Sequence, residues 1–133
     1  MTSDDTTVPT VLLVDDAPTV RLYHASPLLE AGFRVEQAAN GLEAVEAALA
    51  TSFDLFVVDV NMPMMNGYAC VETLRSDTVG TDAPILMIST EDRPDDADRA
   101  YRAGANLYLV KPVATQRLVR LATMLLDAKD DRA

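Results

Sequence analysis

The chain has 133 residues, 49% of them hydrophobic, and one cysteine, so it is the size of a single domain with one ordinary core and no internal disulfide. Aspartate and glutamate number 21 against 11 lysines and arginines, which gives a formal net charge of −10. This charge repels phosphate backbones and anionic lipids, and it argues against direct binding to nucleic acid or to a membrane.

The N-terminal segment is polar where a secretory signal would need an apolar core, and no later apolar run approaches membrane-spanning length. We therefore expect a cytoplasmic protein. Residues 1–9 are predicted to be a disordered tail, residues 10–128 a folded domain, and residues 129–133 a short charged C-terminal tail.

The first predicted strand is the apolar run Val11–Val14. Asp16 near the N-cap and Pro18 in the first turn then indicate a helix that ends near Ala31. Pro27 falls inside this helix, where a proline costs ~3 kcal/mol or more unless the helix kinks or restarts. The sequence gives no reason for its presence.

Four more strand and helix pairs follow in the same order. The strands are expected at residues 33–38, 53–59, 84–88 and 106–110, and the helices at residues 42–50, 68–75, 94–103 and 115–127. Several strands are short, continuous apolar runs, which is typical of strands buried on both faces. With right-handed crossovers, this alternation predicts an α/β fold in which a doubly wound parallel sheet of five strands is covered by five helices.

Polar side chains stand where the apolar runs stop. Asp15 and Asp16 follow the first run, Asp59 ends the third, Ser89 follows the fourth and Lys111 follows the fifth. Ligands of open α/β sheets bind outside the carboxyl ends of the strands. The five side chains are therefore expected to converge on one pocket.

Three carboxylates this close together raise one another's pKa unless a cation joins them. Their hard oxygen atoms, with no histidine or cysteine nearby, favour Mg²⁺. Lys111 is suited to pair with one anionic oxygen, and the Ser89 hydroxyl with another. Such a pocket can stabilise a transferring phosphoryl group, so we expect Asp59 to be the nucleophile that forms an acyl phosphate while Asp15 and Asp16 hold the metal.

These motifs agree in order and spacing with a known family. Over residues 10–127 the chain resembles the receiver domain of two-component response regulators, through Asp15-Asp16, Asp59 with Met62-Pro63 and Gly67, Ser89, and Lys111-Pro112. The segments Asn61–Pro63, Ser89–Glu91 and Asn106–Pro112 look most like the stand-alone, CheY-like chemotaxis regulators.

The resemblance implies a flavodoxin-like sheet with strand order 2-1-3-4-5. It also implies that Asp59 receives its phosphoryl group from a phosphohistidine on a sensor histidine kinase. Mg²⁺ would be bound by Asp15, Asp16, Asp59 and the backbone carbonyl of Asn61. The peptide bond before Pro112 is expected to be cis, as in the family, and to aim the preceding lysine into the pocket.

The family also implies a switch. Ser89, where threonine is commoner, would move toward the acyl phosphate and let Tyr108 turn inward, so that the face formed by the fourth helix, fifth strand and fifth helix changes its partners. Asn61 and Glu91 occupy the positions that tune how fast water removes the phosphate, and we expect a short-lived phosphorylation. From the residues alone, a tyrosine on a buried strand is more often a core residue, and only the resemblance gives the switch role of Tyr108 equal weight.

Several functions stay open. The favoured downstream target is a flagellar motor switch protein in chemotaxis, and the alternative is a non-chemotactic phosphorelay shuttle or stress-response regulator. We expect no enzymatic activity other than self-phosphorylation from small donors and self-dephosphorylation. An aspartyl phosphatase would need an acid two residues after the nucleophile, where this chain has Asn61. A flavodoxin-like cofactor binder would need a phosphate loop where Asp15 and Asp16 stand.

Two further residues receive structural assignments. His24 is expected to be a surface or half-buried residue of the first helix. Cys70 is expected to be a small buried hydrophobe without chemical function.

Overall fold

The computed structural model describes residues 8–131, so residues 1–7 of the predicted N-terminal tail and residues 132 and 133 lie outside the described part of the chain. Strands and helices alternate through the described residues. They are β1 (Thr10–Val14), α1 (Pro18–Glu30), β2 (Arg34–Ala38), α2 (Gly41–Ala50), β3 (Leu55–Asp59), α3 (Gly67–Arg75), β4 (Ile85–Ser89), α4 (Pro94–Ala103), β5 (Leu107–Val110) and α5 (Thr115–Asp131).

The five strands are parallel and lie in the order β2-β1-β3-β4-β5. This is the order that the family resemblance implies, so the predicted fold is confirmed. The central strands β3 and β4 are buried along their whole length, as their continuous apolar runs indicate. Strand β2 lies at an edge of the sheet and is mostly exposed, in keeping with its weaker apolar pattern.

Each face of the sheet has its own apolar core, because successive side chains of a strand point to opposite faces. Phe56 and Val58 of β3 belong to the core that α2, α3 and α4 cover. Leu55 and Val57 belong to the core that α1 and α5 cover. Cys70 is fully buried in the first core, as predicted, and this burial raises the pKa of its thiol to about 12.

Most element boundaries fall within two residues of the predicted ones, and two details differ. Helix α5 continues to Asp131 rather than ending at residue 127, because no glycine or proline stops it. Asp16 does not cap α1: Ala17 is the N-cap residue and has no side-chain cap. Instead, a carboxylate oxygen of Asp15 accepts a hydrogen bond from the Ala17 N–H at 2.9 Å. No helix of the described residues is long and apolar enough to cross a membrane.

Helix α1 continues through Pro27 without a break. The N–H of Ala31 still donates to the carbonyl of Pro27 at 3.0 Å, so the helical pattern persists on its C-terminal side. The proline therefore leaves the carbonyl of Tyr23, four residues earlier, without its helical donor. Nothing in the structure explains why a proline stands at this position.

Arg75, at the end of α3, connects the loops that precede β4 and β5, at the amino ends of these strands. Its guanidinium donates hydrogen bonds to the carbonyls of Thr81, Ala83 and Gly104, at 2.9, 2.7 and 3.0 Å, and to the side chain of Asn106 at 2.9 Å. Gly104 has a φ of 122° and lies so close to Arg75 that an added Cβ would be 2.7 Å from its Cγ. Glycine meets both requirements.

Replacing Arg75 should therefore destabilise the fold. Arg75→Ala removes the donor for three partly buried carbonyls and for the Asn106 side chain, and we expect the free energy of unfolding to fall by about 2–4 kcal/mol. Urea unfolding followed by circular dichroism measures the change. Arg102→Ala, an exposed position in the last turn of α4, is the control. Equal stability of the Arg75 and Arg102 variants would contradict the assignment.

Candidate functional site

The ammonium of Lys111 lies between two buried carboxylates. Its Nζ is 2.8 Å from Oδ1 of Asp59 and 3.3 Å from Oδ2 of Asp15. Asp59 and Asp15 are only 6% and 5% exposed. The sequence-based prediction that these strand ends meet in one pocket therefore agrees with the structure.

The sheet register explains why these side chains meet. Val14 of β1 pairs with Val58 of β3, so Asp15 and Asp59 both follow directly at the carboxyl end of the sheet. On the other side of β3, the N–H of Lys111 donates to the carbonyl of Ser89 at 2.7 Å, which fixes the residue after β5 beside the end of β4. The peptide bond between Lys111 and Pro112 is cis.

Three carboxylates form a candidate metal centre. One oxygen each from Asp15, Asp16 and Asp59 lies within 4.8 Å of the others, and Asp16 is exposed at the mouth of the pocket. A set of hard oxygen donors with an open side suits Mg²⁺, which keeps several of its waters. The residues therefore fit the predicted metal. Asn61 is exposed just after β3, and the role of its carbonyl as a further ligand stays a prediction.

The charges of the pocket are only partly balanced. Burial raises the pKa of the Asp59 carboxyl; the hydrogen bond from Lys111 opposes the rise, and the negative charges of Asp15 and Asp16 add to it. Burial lowers the pKa of the Lys111 ammonium, but its contacts with Asp59 and Asp15 outweigh burial and leave that pKa raised. Lys111 thus stays protonated at neutral pH while carboxylates still outnumber it, and a further cation is favoured.

Ser89 and Tyr108 are connected through one residue, Glu91. The Ser89 hydroxyl is fully buried and accepts a hydrogen bond from the N–H of Glu91 at 3.0 Å. The Tyr108 hydroxyl donates to the carbonyl of Glu91 at 2.8 Å, and its half-buried ring packs against the core on the α3 and α4 side. The carboxylate of Glu91 is exposed and pairs with Arg93 at 3.3 Å. The switch and tuning roles of these residues stay predictions.

His24 is more buried than the sequence suggests. It was expected at the surface or half-buried, and it is only 5% exposed. It lines the same small cavity as Asp15 and Asp59, so the expectation that no histidine lies near these carboxylates is wrong. The cluster of candidate metal ligands nevertheless consists of Asp15, Asp16 and Asp59. Burial lowers the pKa of its imidazole, the charge of Lys111 lowers it further, and Asp15 opposes both. The imidazole is therefore neutral at pH 7. In the sequence, the one sign that the His24 side chain points inward is its position four residues before Leu28, which is buried on the same helix.

Arg21 is a second residue that sequence reasoning missed. Its guanidinium donates to the backbone carbonyl of Asp15 at 2.6 Å and to the side chain of Gln37 at 3.0 Å. These bonds tie the first turns of α1 and the end of β2 to the loop that carries the carboxylates. The sequence has no motif that specifies either bond, because Arg21 lies six residues after Asp15 and sixteen before Gln37.

Comparison with known proteins identifies the family. A model of the response regulator receiver domain matches residues 11–123. The chain belongs to this receiver family. Its fold superimposes on the chemotaxis protein CheY4 of Vibrio cholerae with a TM-score of 0.84, at 35% identity, covering 90% of this chain and 99% of that one. The receiver domain thus has a CheY-like fold.

Two other relatives extend the comparison. The transcriptional regulatory protein PrrA of Mycobacterium tuberculosis is 35% identical over 96% of this chain, which spans only 54% of PrrA. The chain thus covers about half the length of that relative. The receiver domain of the sensor histidine kinase PA1611 of Pseudomonas aeruginosa superimposes with a TM-score of 0.83, at 27% identity, over 91% of this chain and 99% of that one. That structure has a magnesium ion coordinated in its active-site cleft.

Magnesium should stabilise this receiver domain through the carboxylate cluster. If Mg²⁺ binds only the folded chain, the free energy of unfolding rises by about 2.7 kcal/mol when free Mg²⁺ is 100 times its dissociation constant. Thermal unfolding with graded Mg²⁺ or with EDTA measures the effect. Asp16→Asn, an exposed substitution, should remove most of it. Equal stabilisation of the variant and the native chain would exclude Asp16 as a ligand.

The raised pKa of Asp59 predicts how stability depends on pH. The folded chain holds this proton more tightly than the unfolded chain, so stability falls as pH rises from the ordinary value of 3.8 through the raised pKa. In EDTA at pH 7, Asp59→Asn should therefore be more stable than the native chain, and the advantage should vanish below pH 3.8. Urea unfolding at both pH values tests this, with the exposed Asp82→Asn as control. Lower stability of Asp59→Asn at pH 7 would refute it.

Proposed function

We propose that this receiver domain accepts a phosphoryl group on Asp59 and uses it to change its contacts with other proteins. The observation that carries the proposal is the 2.8 Å contact between Nζ of Lys111 and Oδ1 of Asp59, beside a cluster of further carboxylates. A buried carboxylate of this kind, with a fixed ammonium and a metal site around it, is suited to phosphoryl transfer.

The chemistry assigned to the pocket follows from these contacts. An oxygen of the Asp59 carboxylate attacks the phosphorus of the donor, and the bond from phosphorus to the donor breaks as the new acyl phosphate bond forms. In a phosphohistidine donor, the imidazole nitrogen keeps the electron pair of the broken bond. The Lys111 ammonium is placed to stabilise charge on the transferring group. Bound Mg²⁺ would neutralise further charge on the phosphoryl oxygens.

A sensor histidine kinase is the proposed donor. Membership of the receiver family supports it, and a similar receiver domain is part of the sensor histidine kinase PA1611. Small acyl phosphates should also serve, because the pocket itself supplies the positioned groups. Beyond this self-phosphorylation and the hydrolysis of the resulting acyl phosphate by water, we propose no enzymatic activity. Asn61 and Glu91 are both exposed, which suits their proposed role in admitting water and keeping the phosphate short-lived.

The proposed output is a protein contact in the cytoplasm. Ser89 would move toward the acyl phosphate, and through Glu91 and Tyr108 the change would reach the surface formed by α4, β5 and α5. Similarity to CheY4, which is a chemotaxis protein, favours chemotaxis through a flagellar motor switch protein. Similarity to PrrA, a transcriptional regulatory protein, supports the alternative of a non-chemotactic phosphorelay or stress response. The net charge of −10 favours protein over nucleic acid or membrane as partner.

Incubation with acetyl phosphate followed by intact-mass spectrometry tests the phosphoryl transfer. A single phosphate adduct should form with Mg²⁺ and be absent with EDTA and in Asp59→Asn. Asp82→Asn, an exposed carboxylate just before β4, should behave as the native chain. Lys111→Met should slow adduct formation on the order of 100-fold, because it removes one charge-stabilising donor.

Rapid hydrolysis is controlled by using beryllofluoride, which forms a stable analogue of the acyl phosphate. Failure to form both the phosphate adduct and the beryllofluoride complex would overturn the proposal. For the output, capture of purified motor switch protein only by the beryllofluoride complex would support chemotaxis. Equal absence of capture with and without beryllofluoride would favour the non-chemotactic alternative.

A further inference from the structure

The backbone of Asp15 is held from two sides. Its N–H donates to the carbonyl of Ala38, the last residue of β2, at 3.1 Å. Its carbonyl accepts a hydrogen bond from the guanidinium of Arg21, near the start of α1, at 2.6 Å. That carbonyl belongs to the planar peptide group that joins Asp15 to Asp16. Arg21 therefore holds the backbone unit that carries two of the three candidate metal ligands.

The two carboxylates depend on this backbone in different ways. One oxygen of Asp15 accepts a hydrogen bond from the Ala17 N–H at 2.9 Å, and the other lies 3.3 Å from the Lys111 ammonium. Among the described residues, none forms a hydrogen bond or ion pair with the side chain of Asp16, which is exposed. The place of the Asp16 carboxylate therefore depends on its backbone, and so on the peptide group that Arg21 holds.

Arg21 is itself held by β2. Its Nε donates to Oε1 of Gln37 at 3.0 Å, while its Nη1 donates to the Asp15 carbonyl. Gln37 directly precedes Ala38, so the contacts close a ring between β2, α1 and the loop that carries the carboxylates. A guanidinium presents its donors in a rigid planar fork, so two acceptors at once fix its orientation.

We propose that Arg21 is a positioning residue of the metal centre, and that Gln37 positions Arg21 in turn. By holding the peptide group between Asp15 and Asp16 against β2, Arg21 sets the separation of the two carboxylates. Residues that orient metal ligands in this way raise the affinity for the metal without touching it. The inference rests on the proposed function only for the identity of the cation, Mg²⁺.

The charge of Arg21 acts in the opposite direction. Arg21 lines the same small cavity as Asp15 and Asp59, so its positive charge repels a cation bound there. If charge were its only influence, replacing Arg21 by a neutral residue would tighten Mg²⁺ binding. If Arg21 positions the carboxylates, the same replacement weakens the binding. The sign of the change in the dissociation constant therefore separates the two roles.

Arg21→Met keeps an apolar stem and removes the guanidinium. We expect the dissociation constant for Mg²⁺ to rise on the order of 10-fold, as when other residues that orient a metal ligand are removed. Titration of the backbone amide NMR signals with MgCl₂ at constant ionic strength measures it in the folded protein. Arg102→Met, which removes an exposed arginine in the last turn of α4, is the matched control and should bind Mg²⁺ as the native chain does.

Gln37→Met removes the second acceptor of Arg21 without changing any charge, so only the positioning role predicts an effect. We expect the dissociation constant for Mg²⁺ to rise about threefold, because Arg21 keeps its bond to Asp15 but loses the one that orients it. Gln116→Met, at an exposed glutamine in the first turn of α5, is the control. Gln37 is exposed as well, so this variant tests the inference even if Arg21→Met does not fold.

Two results would overturn the inference: unchanged or tighter Mg²⁺ binding in Arg21→Met, and unchanged binding in Gln37→Met. A residue that only stabilised the fold would lower the free energy of unfolding. It would leave the Mg²⁺ dissociation constant of the folded variant as it is in the native chain, which is why the binding constant is the deciding measurement.

The two proposals can fail separately, because Mg²⁺ binding needs no phosphoryl group. A native chain that binds Mg²⁺ but forms neither the phosphate adduct nor the beryllofluoride complex would reject the proposed function, while weaker binding in the variants would still support the role of Arg21. Phosphorylation of Asp59 together with unchanged Mg²⁺ binding in both variants would do the reverse. A native chain that binds no Mg²⁺ would overturn the inference outright.

Discussion

The pocket of this receiver domain depends on one electrostatic constraint: a single ammonium, that of Lys111, lies between the buried carboxylates of Asp15 and Asp59. Asp15 and Asp59 lie at the ends of adjacent strands and are almost fully buried, and burial together with the nearby charge of Asp15 raises the pKa of Asp59. The ammonium of Lys111, 3.3 Å from Asp15 and 2.8 Å from Asp59, balances only part of this negative charge. Because the remaining negative charge still favours a cation, the pocket is suited to bind a metal ion.

The backbone around the pocket holds these three groups in place. The parallel register brings the strand ends to one edge, and the backbone bond from Lys111 to Ser89 holds the lysine there. The Ser89 hydroxyl accepts a hydrogen bond from the N–H of Glu91, and the Tyr108 hydroxyl donates one to the carbonyl of Glu91, which connects the end of β4 with β5.

The sequence predicted the pocket well because its signals are local. Each apolar run stops at the residue that carries the chemistry, as at Asp59 and Lys111, and a parallel sheet places all such ends together. The strand order came from the family resemblance, since no local pattern specifies it. Sequence reasoning missed side-chain placements that no motif specifies: the hydrogen bonds of Arg21 to Asp15 and Gln37, the burial of His24, and the hydrogen bond from Tyr68 to Asp96 of α4. These placements depend on which face of a helix packs against the sheet. The weakly amphipathic sequence of α1 does not indicate that face.

The central claim is that Asp59, and no other carboxylate of the cluster, becomes the acyl phosphate. Hydride reduction of the phosphorylated chain tests it most directly, because borohydride converts an aspartyl phosphate to homoserine and leaves free carboxylates unchanged. Peptide mapping by tandem mass spectrometry should then find homoserine at position 59 alone, and only in samples phosphorylated with Mg²⁺ present. Homoserine at position 15 or 16, or its absence from every peptide of a chain that carries a phosphate adduct, would contradict the claim.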